Sequence, residues 1–112
     1  MDKSKIFQIL ESVKEETLTW AAAQGIVLVH IDYVVPFVKE DDVLGIWIFY
    51  KTHESASTYQ KNGVSDKVKA FVIEALLAHG YPRAGVDQSN FVFDSEENVK
   101  KNFEGSYFYR LR

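Results

Sequence analysis

His30 and Asp32 are the residues whose types and spacing most resemble chemistry. Side chains two apart in an extended chain point to the same side, so an imidazole and a carboxylate would stand together there. A general base is oriented in that way. No third member of a catalytic set is visible, so a polar pair on an exposed sheet face is the preferred reading. His53 and His79 stand alone, without an HxH or HExxH pattern, and the chain has no cysteine. Metal ligation, disulfides and thiol catalysis are therefore not expected, nor is any cofactor. The six glycines are scattered and form no phosphate loop, and no GxSxG motif occurs. Glu40, Asp41 and Asp42 are adjacent acids without the alternating ligands of a calcium loop. An enzyme is the least favoured class. A small enzyme or ligand carrier using His30 and Asp32 stays open as an alternative.

The chain closes on "FEGSYFYRLR". Read as a strand, this stretch places Tyr107, Tyr109 and Leu111 on one side and Phe108, Arg110 and Arg112 on the other. The second row could stack bases and hold phosphates, as single-stranded nucleic-acid binders do. The pattern departs from RNP1, since Glu104 takes the place of its leading basic residue. The formal charge of −3 also argues against a phosphate-binding surface. A nucleic-acid site at Phe108, Arg110 and Arg112 is the runner-up reading.

These residues need elements to position them. Ile6, Ile9, Leu10, Val13, Thr17, Trp20 and Ala21 recur at helical steps and predict a helix over 3–23, stopped by Gly25. Residues 26–38 read as a strand, with Val27, Val29, Ile31, Tyr33 and Val35 toward the core. "KEDD" at 39–42 reads as a hairpin turn into a second strand over 43–52, in which Gly45 marks a bulge or a close approach. "HESASTYQKNG", 53–63, has almost no apolar content and reads as a long polar loop, a frequent setting for binding residues. A second long helix follows over 65–79, capped by Ser65, with Val68, Phe71, Val72, Ala75, Leu76 and His79 as its buried stripe. "VDQSNFVFD" ends in a third strand. "DSEENVKKNF" is a short helix capped by Asp94 with Glu97, or by Ser95. "SYFYRLR" is the fourth strand. The expectation is one α+β domain over 1–112, in the order α-β-β-α-β-α-β. Its sheet would be four-stranded and mainly antiparallel, with two long helices and one short one.

At 112 residues, 46% hydrophobic and 26% charged, the chain is an ordinary globular domain on size and composition. It shows no secretion signal and no apolar run of membrane-spanning length, and a cysteine-free chain fits the cytoplasm.

"FVFDSEENVKKNFEGSYFYRLR", 91–112, resembles the ending of small, cysteine-free bacterial immunity proteins of polymorphic or contact-dependent toxin systems. The resemblance rests on the Phe/Asp strand end, the "SEENV" helix start and the closing glycine–serine–aromatic segment. It implies a non-enzymatic protein that occludes the surface of a cognate toxin. Acidic groups would suit such a partner by complementing a basic nuclease. The expected contacts are Glu40, Asp41, Asp42, Tyr59, Glu96 and Glu97. The oligomeric state is left open.

Overall fold

The apolar stripes at helical spacing form the two long helices. In the computed structural model, which describes residues 2–35 and 43–111, α1 spans Lys3–Ala23. It buries Ile6, Ile9, Leu10, Val13, Thr17 and Ala21 as its spacing predicts. The second long helix spans Val64–Ala78 and buries Ser65, Val68, Val72 and Leu76. It packs against α1, where Trp20 stacks on Phe71 at 4.5 Å. Ser65 is not its cap, because the helix starts one residue earlier, after Gly63. Its hydroxyl instead pairs with the buried Tyr50 hydroxyl at 2.8 Å. His79 leaves the buried stripe and meets Glu16 of α1 at 2.7 Å.

Strand β1 spans Leu28–Val34 and β2 spans Gly45–Tyr50, paired antiparallel. The acidic turn with Glu40, Asp41 and Asp42 lies outside the described residues, as does Arg112. A register irregularity between Leu28 and His30 reverses the side to which side chains point. Leu28 therefore packs on the core with Tyr33 and Val35, while Val27, expected inside, is 52% exposed. Gly45 marks a close approach: a Cβ there would lie 3.3 Å from the Val34 Cβ.

The expected polar loop at 53–63 is mostly helix. Thr52 caps α2, His53–Lys61, and shares a reciprocal capping box with Ser55. Glu54 in the first turn and Lys61 in the last complement the helix dipole. Ala56 and Tyr59, three apart, rest on the core. With so few apolar residues, periodicity carries little signal here, and the cap decides the structure. α2 connects to the second long helix, now α3, and a short α4, Arg83–Gln88, leads into β3, Asn90–Ser95. This helical crossover brings β3 alongside β2 in parallel, which a hairpin could not do.

The remaining helices are α5, Glu96–Asn102, and α6, Tyr107–Arg110. Ser95 rather than Asp94 caps α5, accepting from the Asn98 N–H at 3.1 Å. The expected fourth strand is absent among the described residues. Glu104 and Gly105, with φ of 55° and 77°, reverse the chain, and Ser106 caps α6 through the Tyr109 N–H. The fold is therefore α+β, but with a three-stranded mixed sheet in the order β1-β2-β3 and six helices among the described residues. This corrects the four-stranded antiparallel expectation. Capping overrode composition at 53–63 and alternation at the C-terminus, the helix Arg83–Gln88 was not expected, and the parallel pairing of β3 with β2 makes the sheet mixed. No helix of the described residues is long and apolar enough to cross a membrane.

Candidate functional site

Register divides the sheet into two faces. Ile46, Ile48 and Tyr50 of β2, with Phe91 and Phe93 of β3, pack into the main core beneath α1 and α3. The opposite face carries His30 and Asp32 of β1, Trp47 and Phe49 of β2, and Asp94 of β3. His30 and Asp32 are therefore brought together, with His30 Nε2 2.8 Å from Asp32 Oδ2. The His30 ring lies 4.1 Å from that of Tyr107, and Tyr107 meets Phe49 edge-on at 4.7 Å. Burial, then the charges of Glu96 and Asp32, raises the Tyr107 pKa.

Beside this cluster α6 is anchored by charge. Arg110 Nε donates to Asp94 Oδ2 at 2.5 Å, and the guanidinium lies over the rings of Trp47 and Phe103. Burial alone would raise the pKa of the Asp94 carboxyl. Hydrogen bonds from Arg110, Asn98 and the Ser95 N–H, with the Arg110 charge, outweigh that and hold it below the usual carboxylate value. Tyr107 and Arg110 point inward because they are three apart on a helical turn, whereas Phe108 and Tyr109 are 67% and 50% exposed. The strand-based split of this segment is thus replaced by a helical one. Arg110, expected to hold a phosphate, is engaged within the protein.

Of the expected protein contacts, Tyr59, Glu96 and Glu97 lie among the described residues. Tyr59 packs edge-on against Tyr50 at 4.8 Å, and its hydroxyl accepts from the Val27 N–H at 3.3 Å. Glu97 accepts from the His53 N–H at 2.8 Å, tying α5 to the start of α2. Glu96 pairs with Lys100 at 3.1 Å. Among the described residues no group of three histidines or carboxylates could hold a metal ion.

A concavity lies elsewhere. An open groove of about 780 Å³ runs between β3 and the helices. One wall is Ser89–Asp94. The other is one face of α2, formed by His53, Ala56, Ser57 and Gln60, continued by Ser65, Asp66 and Lys69 of α3. The sequence could have pointed to α2 through Thr52 and Ser55, but not to the groove, which exists only because β3 returns parallel to β2. These features define a small α+β domain with a three-stranded mixed sheet in which β3 is an edge strand facing the groove. No protein-family model matches the chain, and no curated protein or solved structure is significantly similar to it.

Proposed function

We propose that this chain is a non-enzymatic protein-binding domain, acting as an immunity protein that neutralises a cognate toxin by occluding its surface. The observation that carries the reading is the groove along β3. There, polar backbone and small side chains are open together. The groups with chemical potential are, by contrast, spent on one another: His30 on Asp32, Arg110 on Asp94, and His79 on Glu16. An occluding protein needs a stable scaffold and a complementary surface, not an activated nucleophile. The C-terminal resemblance agrees with this role, and the net charge of −3 suits a basic partner.

The test is co-expression with the product of the adjacent upstream gene. The reading expects a stable one-to-one complex and relief of that product's toxicity. A neighbour that is harmless to the host and does not co-purify would overturn it.

A further inference from the structure

Strand β3 is bonded to β2 on one side only. Within a strand, the backbone groups of successive residues point to alternate edges. The Asn90 N–H donates to Leu44 C=O at 2.9 Å, on the β2 side. The N–H and C=O groups of Phe91 and Phe93 therefore face the groove. No backbone or side-chain partner meets them among the described residues.

Natural sheets shield such edges with proline, inward charge or a covering element. The stretch Asn90–Ser95 has no proline, and its charged residue, Asp94, falls on the opposite face by register and is engaged there by Arg110. The shield present is Lys69, whose ammonium lies 5.4 Å from the centre of the Phe91 ring. A lysine head is a movable cover. Across the groove, α2 presents Ala56 and Ser57, small side chains that leave the space beside the edge unfilled.

We infer that the groove receives an extended segment of a partner polypeptide, which adds to the sheet as a fourth strand beside β3. This rests on the protein-binding reading above and specifies how the partner is held. Phe91 and Phe93 would exchange main-chain hydrogen bonds with the segment. Alternate side chains of the segment would point toward Ala56 and Ser57 on one side and to solvent on the other. A slim single chain fits this geometry better than a second copy of the protein. Two β3 edges paired about a two-fold axis perpendicular to the sheet would bring both α2–α3 walls onto one face, whereas a single chain brings none.

The probe is a displayed library of linear random peptides, selected on the full chain. Binding is measured by titration, and amide exchange is read residue by residue. The inference expects selected peptides to slow exchange at Phe91 and Phe93 by about tenfold or more while the outward amides of β1 are unchanged. It also expects Ser57→Trp, which fills the groove from an accessible helix position, to weaken binding at least about tenfold with unfolding unaltered. Peptides that bind without protecting Phe91 and Phe93, and that tolerate Ser57→Trp, would overturn strand addition. So would a library that yields no binders. Protection of these amides that rises with protein concentration alone would assign the edge to a second copy and also overturn it. The two readings fail separately. If the neighbouring gene's product still binds Ser57→Trp as tightly as the parent chain, strand addition fails and the protein-binding role stands. If that product does not bind the parent chain, the role itself fails.

Discussion

The two faces of the sheet are closed by different means. On the core face, Ile46, Ile48 and Tyr50 are fully buried beneath two long helices, and their burial is mostly apolar. On the other face a helix of four residues, α6, lies over Phe49 and His30, held by an ion pair, ring contacts and a capping serine. Apolar burial is non-directional and grows with area, so the first face tolerates small geometric changes. Directed polar contacts depend on each partner, and losing one leaves the other partly buried and unsatisfied. A cluster of histidine, carboxylates, arginine and aromatics can therefore be a fastening for a short element. That is how the His30, Asp32, Asp94 and Arg110 set reads in this protein, and it is distinct from the β3 edge, whose outer side has no strand partner among the described residues.

The largest expected effect lies on the core face. Ile48→Ala should lower unfolding free energy by about 2–5 kcal/mol, seen as a lower denaturant midpoint with every probe shifting together. Arg110→Ala should cost less, about 1–3 kcal/mol, and should act locally. Amide exchange would quicken across α6 while the β2 core amides keep their protection. If Arg110→Ala instead unfolded the core as Ile48→Ala does, the two faces would not be distinct. The same pair sets an acid dependence. The Asp94 pKa is lower in the folded state than unfolded, so its contribution is present above the ordinary carboxylate value and is lost as pH falls through the folded value. Unfolding measured down that range should show a decline that Arg110→Ala reduces. The smallest effect concerns the buried hydroxyl pair. Burial, partly offset by the Ser65 bond and reinforced by Tyr59, pushes the Tyr50 pKa up to about 12. Ser65→Ala should cost about 1 kcal/mol by leaving the Tyr50 hydroxyl unpaired, and adding Tyr50→Phe should recover part of that loss.

The sequence showed the long helices and the core stripe plainly, because Ile6, Val13, Val72 and Leu76 repeat at helical spacing. It also placed His30 beside Asp32, since the two-residue period holds through that part of β1. What it hid depended on local hydrogen bonds or distant pairing. Tyr107 to Leu111 alternate like a strand, yet the Ser106 cap and the reversal at Glu104 and Gly105 make them a helical turn. The polar 53–63 stretch hid a helix whose cap is Thr52. The partner of Arg110 is sixteen residues away at Asp94, a contact that no periodicity reports. The open edge of β3 was least legible, since it follows from a parallel return through three helices.

The most direct test of the division between a fastened face and an open edge is residue-resolved amide exchange with the neighbouring gene's product bound and absent. The account predicts new protection at Phe91 and Phe93, with His30, Tyr107 and the rest of α6 unchanged. Protection gained across His30, Asp32 and α6, with Phe91 and Phe93 exchanging as freely as before, would contradict it.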